Sequence, residues 1–511
     1  MTDKGKKGIF YSILTITIVS FLSKIIGFVR EGVIAAYFGT TADTDIFFLA
    51  NSLYVALTTI IGSSIAIAYL PRFVKNEESE GKDSALRSTS VVVNQLLVIS
   101  LFLTVIVFLL APHLSRWMAP EYSAIQLTIL SQYIRYLSLS LFFTIAVFIL
   151  ISVLNAQKKF GIPQLTGIIY SIVTIVMVVF FHSWGEVDVL LYSVITSAVI
   201  QFVVLFFLVF RSKSQLVLRL EFGNKKGIDL YRSAMVVFLG TGTLFISQFI
   251  DKVIAIPLKT GAVSALYYSG VLHSLVNTLL VIPLVTVFYT DISQKYAKND
   301  LEGVISSWQK GFSLFTLLLV PLTILLFTNS NSIISILFER GKFTEESTLL
   351  TSSAFSFYVI GSVFFAIRNL STRFFYVIGD VKTPMINGCV SVVLNALLAY
   401  MLSLRFGISG ITLASAITAV IVCVWLVYRL NKKITLNLKS ISPIIIKVAV
   451  ASVVMYFGII VTFNVIHIDI EILQLLISSL IGLSIYLSAL LLLKCTEIKY
   501  IFSIIKMRLR K

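Results

Sequence analysis

Long apolar runs separated by short, mostly basic punctuation set the pattern of this chain. Fourteen runs are long enough to be helices that cross a membrane, at 8–37, 43–72, 88–112, 124–156, 162–182, 187–211, 228–256, 261–294, 304–328, 347–378, 384–404, 409–430, 441–465 and 470–493. The stretch 91–111, VVVNQLLVISLFLTVIVFLLA, is typical: unbroken, without the strict alternation of a β-barrel strand. Several runs exceed the bilayer thickness and predict tilted or protruding helices. NSIISILFER (331–340) is too short to span and predicts a helix at the interface. The N-terminus has a basic start and an apolar run, but no small-residue cleavage site follows. It reads as the first membrane helix.

Composition supports the bilayer as solvent. Of 511 residues, 58% are hydrophobic and 13% charged, against roughly 45–50% and about 25% in soluble domains. Forty-one Lys and Arg against 24 Asp and Glu leave a net charge of +17. Topology accounts for most of it. With the N-terminus in the cytoplasm, the cytoplasmic segments collect Lys4, Lys6, Lys7, Arg72, Lys75, Lys82, Arg87, Lys158, Lys159, Arg211, Lys213, Arg219, Lys225 and Lys226. Lys295, Lys298, Lys310, Lys382, Arg429, Lys432, Lys433, Lys439 and the cations of the tail join them. The opposite segments hold only Arg116, Lys259, Arg340, Lys342 and Arg405. Both termini are expected in the cytoplasm, and a nucleic-acid partner is unnecessary. Cys389, Cys423 and Cys495 form no disulfide or CxxC spacing, and the four histidines are scattered. No metal cluster is read from them.

The chain also repeats itself. A shift of 220 residues lays VIAAYF (33–38) on VIAIPL (253–258), Phe47 and Phe48 on Tyr267 and Tyr268, and IAIAY (65–69) on VTVFY (285–289). A unit of six helices keeps both copies in one orientation, a parallel repeat. The expected fold is an all-α polytopic membrane protein of about 14 transmembrane helices. Two six-helix lobes, 1–226 and 227–436, surround a central cavity, and 437–511 carries two further helices and a basic cytoplasmic tail.

Charges inside the apolar runs are the candidate chemistry. Lys24, Arg30 and Glu31 lie in helix one, Asp45 opens helix two, Arg135 lies in helix four, Asp251 and Lys252 in helix seven, and Arg368 and Arg373 in helix ten. A Lys or Arg at the bilayer centre costs roughly 2.5–3.5 kcal/mol on insertion scales, so such groups face a bundle interior or water. Ser23, Gly27 and Arg30 share a helix face, with Lys24 and Glu31 beside it. A cationic stripe of this kind suits phosphate or diphosphate. The sequence carries no GxxxxGK[ST], HExxH or GxSxG pattern. A transporter without its own ATPase is expected rather than an enzyme, although Glu31 and Asp45 would be the acids of a lipid-phosphate transferase or phosphatase.

The run SKIIGFVREGVIAAYFGTTADTDIFF (23–48) resembles the signature of the MurJ (MviN) family of lipid II flippases, members of the multidrug/oligosaccharidyl-lipid/polysaccharide exporter superfamily. VSALYY (263–268), LFERGKFT (337–344), GDVKTPM (379–385) and FGISGITLASAI (406–417) are similar to further family motifs. The resemblance implies fourteen helices in two lobes of a bacterial cytoplasmic-membrane protein acting in cell-wall biogenesis. It implies alternating access that moves undecaprenyl-diphosphate-linked peptidoglycan precursor to the outer leaflet, driven by membrane potential, with cell-wall synthesis proteins as partners. Arg30 matches the family's cavity arginine, Lys24 stands at another arginine position, and Glu31 and Asp45 match acidic motif positions. Arg135 and Arg368 are the cations left to replace two that the family has where this chain has Thr58 or Thr59 and Val271. Asp251 and Asn395 match part of a sodium site described in some relatives, with Ala399 where an acid would stand. No other cofactor is implied. The departures at Thr58 and Val271 leave two alternatives: a flippase for another undecaprenyl-diphosphate-linked oligosaccharide, of capsule, teichoic acid or exopolysaccharide, and a multidrug exporter of the same superfamily.

Overall fold

The computed structural model describes residues 3–159, 161–210, 215–221, 225–465 and 470–495. Arg211, Lys213 and the basic tail from 496 onward lie outside the described residues, as do the side chains of Lys4, Lys6, Lys7, Lys225 and Lys226. The described elements are helices: α1 (Asp3–Phe38), α2 (Ala42–Glu80), α3 (Lys82–Met118), α4 (Ala124–Ala156), α5 (Gly161–Gly185), α6 (Asp188–Val209), α7 (Lys225–Ala255), α8 (Ala262–Val276), α9 (Ile282–Ala297), α10 (Leu301–Thr328), α11 (Ser330–Phe338), α12 (Glu345–Ile360), α13 (Ser362–Val377), α14 (Lys382–Lys433), α15 (Ser442–Val465) and α16 (Glu471–Leu492). Each of the fourteen apolar runs is helical. Among the described residues ten helices are long and apolar enough to cross a membrane, eleven when α12 and α13 count as one broken span. The short α11 falls on the segment expected at the interface.

Local chemistry explains the ends. Thr41 and Thr44 form a reciprocal capping box at the start of α2, and Ser123 and Gln126 form another at α4, each satisfying two orphan amides. Gly81, at φ 85°, separates α2 from α3. Three breaks interrupt longer runs. Asn277–Val281 forms a π-helical turn between α8 and α9, ahead of Pro283. The run expected as one helix over 347–378 bends by 40° at Gly361. A Cβ on Gly361 would meet the Cα of Ala416 at 3.4 Å, so the missing side chain lets α14 approach. Within α14, Gly407 takes φ 56°, ψ −135° and divides it into the two helices expected at 384–404 and 409–430.

The chain forms two compact units, Met1–Ser264 with Arg340–Thr344, and Ala265–Glu339 with Glu345–Lys511. In the first, α4 packs against α2, α3 and α6, α1 against α5, and α2 against α7. The α1–α5 seam uses small residues. A Cβ on Gly167 would lie 2.7 Å from the Ser23 hydroxyl, and one on Gly27 would lie 3.8 Å from that of Ser171. In the second, α10 packs against α9, α13 and α15 around buried Trp308, Phe315, Phe374 and Phe375.

Two motifs hold backbone in place. The Lys342 amide donates to the Ala36 carbonyl at 2.7 Å, satisfying one of the acceptors at the C-terminus of α1. Gly39 and Gly341 both have φ 62°; added Cβ atoms would collide with the carbonyls of Lys342 and Ala36 respectively. Gly341→Ala therefore combines left-handed strain with a backbone clash. It should lower the thermal midpoint of the purified protein by several degrees, whereas Gly161→Ala, in open space, should change it little. In GDVKTPM, the Asp380 carboxylate accepts from the Thr383 amide at 3.0 Å and hydroxyl at 2.7 Å, and pairs with Lys433. Desolvation acts to raise its pKa, but the Lys433 and Thr383 hydrogen bonds outweigh it and hold the carboxyl well below its ordinary value.

Candidate functional site

Helix one carries the centre of the site. At 1.5 Å per residue, Arg30 and Lys24 lie about 12 and 21 Å along α1 from Phe38. Arg30 is held on two sides. Its Nε donates to the Glu31 Oε1 at 3.1 Å and its Nη2 pairs with the same oxygen. Its guanidinium carbon lies 4.3 Å from the ring centroid of Tyr170 on α5, a cation–π contact. The Arg30 side chain is 15% exposed and that of Glu31 2%. Tyr170 and Glu31 thus fix the plane of a cation that still reaches an accessible surface. Lys24 is exposed.

The stripe expected on α1 is not one open surface. Ser23 and Gly27 are seated against Gly167 and Ser171 of α5, in the same seam that brings Tyr170 under Arg30. That face is a packing seam with the guanidinium at its edge. Tyr170 itself escaped the sequence reading, because an aromatic in an apolar helix carries no distinguishing mark.

Asp45 has a different geometry. Its carboxylate accepts from the amides of Gly261 at 2.6 Å and Ser264 at 2.7 Å, and from the Ser264 hydroxyl at 2.6 Å. It caps the N-terminus of α8 from outside, where orphan amides and the positive end of the helix dipole favour an anion. Thr44 adds a hydroxyl contact to Ser264 at 2.9 Å. These are the two residues, 44 and 264, that the 220-residue shift pairs.

The remaining candidates occupy separate places. Arg135 on α4 has its guanidinium 5.4 Å from the Phe108 ring of α3, and its buried Nε has no hydrogen-bond partner among the described residues. Arg368 on α13 donates through Nε to Asn387 at 2.7 Å, and Asn387 donates to the Val422 carbonyl at 2.8 Å. This chain of bonds ties α13 to both arms of α14. Thr58 is buried, its hydroxyl returned to the Tyr54 carbonyl at 2.8 Å. Asp251 is buried in the first unit, and Asn395, buried in the second, accepts from the Ser415 hydroxyl at 3.1 Å. Among the described residues, no three His, Cys, Asp or Glu side chains are grouped to hold a metal ion.

Ten helices long and apolar enough to cross a membrane, among the described residues, define a multi-pass membrane protein, and known structures agree on the fold. The chain superposes on "Lipid II flippase MurJ, inward closed conformation" with a TM-score of 0.80 at 23% identity, covering 93% of this chain and 98% of that one. An inward-facing multidrug resistance MATE family transporter of the MOP superfamily aligns with a TM-score of 0.66 at 15% identity, covering 81% and 98%. The family model "Lipid II flippase MurJ" matches residues 34–482, and the chain belongs to that family. Relatives include probable lipid II flippases MurJ of Buchnera aphidicola subsp. Schizaphis graminum, 27% identical over 88% of each chain, and of Aquifex aeolicus, 26% identical over 84% of this chain and 85% of that one. It is a transporter of the membrane, not an enzyme.

Proposed function

We propose that this protein moves lipid II, the undecaprenyl-diphosphate-linked peptidoglycan precursor, from the inner to the outer leaflet of the bacterial cytoplasmic membrane. The observation that carries the substrate chemistry is Arg30: a guanidinium held in plane by Glu31 and Tyr170 within a membrane helix. A diphosphate competes with Glu31 for the same planar donor, and Lys24 supplies a second cation two turns away. The lipid tail stays in the bilayer while the head group crosses by alternating access. A cytoplasm-negative potential favours this direction, at roughly 2.3 kcal/mol per charge per 100 mV.

In this reading the N- and C-termini are cytoplasmic. Single cysteines at Thr41 and Ser183, in a cysteine-free background, should react with an impermeant thiol reagent added outside. Cysteines at Lys82 and Lys433 should react only after permeabilisation. The opposite labelling would reverse the topology.

The functional test is rescue. Expressed in a bacterium depleted of its own lipid II flippase, the protein should restore growth. Absence of rescue by a correctly inserted protein would point to another undecaprenyl-diphosphate-linked glycan. The substitutions at Thr58 and Val271 would then mark a reshaped head-group site.

A further inference from the structure

A second polar site lies at the opposite end of α2 from Asp45. Residues 45 to 72 span about 40 Å of helix. Beyond them, a cavity of about 720 Å³ opens between the end of α2, the first turns of α3, the segment 215–221 and the start of α7. All of these belong to the first unit.

The cavity has a built floor and roof. Tyr69 and Gln95 are buried beneath it; the Tyr69 hydroxyl contacts that of Thr89 at 2.9 Å, and Gln95 accepts from the Tyr231 hydroxyl at 3.0 Å. Above, the segment is strapped to α3. The Val217 amide donates to Ser90 at 3.0 Å, Asn94 donates to the Val217 carbonyl at 2.6 Å, and Gln215 donates to Asp83 at 2.9 Å. The strap carries Arg219 to the rim.

Four cations line the cavity: Arg72, Lys75, Arg87 and Arg219. Among the described residues Glu80, Glu221 and Asp229 oppose them, so the cations outnumber the acids. Glu80 and Ser84 bracket the start of α3, where Gly81 provides no side-chain cap and the helix dipole is positive. Three guanidiniums supply forked donors that match phosphate oxygens. In the proposed topology these helix ends, where the basic residues gather, lie on the cytoplasmic side, where anionic headgroups attract cations.

We propose that this cavity binds a phosphate-bearing group, separate from the Arg30 site and independent of which lipid-linked glycan is carried. The source is either an anionic phospholipid headgroup or a soluble phosphate, and one experiment distinguishes them. The full-length protein in detergent is given phosphatidylglycerol or phosphatidylcholine, and retained lipid is counted by native mass spectrometry. Inorganic phosphate is added as competitor and as sole ligand in a thermal-unfolding assay.

Phosphatidylglycerol retained at least fivefold over phosphatidylcholine, and not displaced by phosphate, assigns the site to a lipid headgroup. Stabilisation by inorganic phosphate alone assigns it to a soluble phosphate. In either case Arg87→Gln/Arg219→Gln should weaken binding about tenfold, and Arg30→Ala should leave it unchanged. Arg219→Gln alone, in the exposed strap, gives the same reading if the double variant does not purify. Equal retention of both lipids with no effect of phosphate, binding undiminished in the Arg87/Arg219 variants, or binding lost in Arg30→Ala would each overturn the proposal.

Discussion

Arg30→Ala is expected to abolish transport while the protein still accumulates in the membrane. Truncating one partner of a buried, hydrogen-bonded charge pair typically costs about 2–5 kcal/mol, which is about 30-fold or more in affinity for the transported anion. Arg30→Lys keeps the charge but loses the planar fork that lies on Tyr170, so it should retain part of the activity. The alanine variant also removes the ion-pair partner of buried Glu31, and a stability defect could imitate a transport defect. Arg30→Ala/Glu31→Gln separates them: the neutral pair should regain the thermal midpoint and still fail to transport. Normal transport by Arg30→Ala would place the anion site elsewhere.

Asp45→Ala produces the largest expected loss of stability. It withdraws the acceptor from two buried amides at the start of α8 and from the Ser264 hydroxyl. Loss of an N-cap costs about 0.5–2 kcal/mol, and each buried donor left unsatisfied about 1–3 kcal/mol. The two amides alone amount to about 2–6 kcal/mol, which should appear as a lower thermal midpoint in detergent. Asp45→Asn, which keeps one acceptor oxygen, should lie between. This outcome separates a structural cap from a substrate contact. A substrate-binding Asp45 would give an asparagine variant of normal stability and altered transport.

The all-helical membrane fold was legible because helix length and apolar continuity are written directly in the chain. Even the break at Gly407 could be read, since Arg405 and Gly407 interrupt two apolar runs. The bend at Gly361 and the π-helical turn at 277–281 could not. Both lie inside continuous apolar pattern, and a helix break that keeps its hydrophobicity leaves no periodic trace. The site was half legible. Charges buried in apolar runs flagged Arg30, Glu31 and Asp45, because their cost demands a partner. Which partner was hidden. Tyr170 and Asn387 are ordinary residues in apolar helices, and only folding brings them to Arg30 and Arg368. Ser264 had a latent signal, since the 220-residue shift that lays Phe47 on Tyr267 also lays Thr44 on Ser264, and these residues touch. The stripe on α1 was legible only as a shared face, because a helical wheel shows which residues lie together but not what covers them. Ser23 and Gly27 are small so that α5 can approach, not to leave a surface open.

The most direct measurement is lipid II exposed on the outer leaflet of flippase-depleted cells, detected with an impermeant lipid II-binding probe. Cells expressing this protein should regain outer-leaflet lipid II, lose it when the membrane potential is collapsed, and fail to regain it with Arg30→Ala. Outer-leaflet lipid II that stays at the depleted level, with the protein present and inserted, would contradict the account.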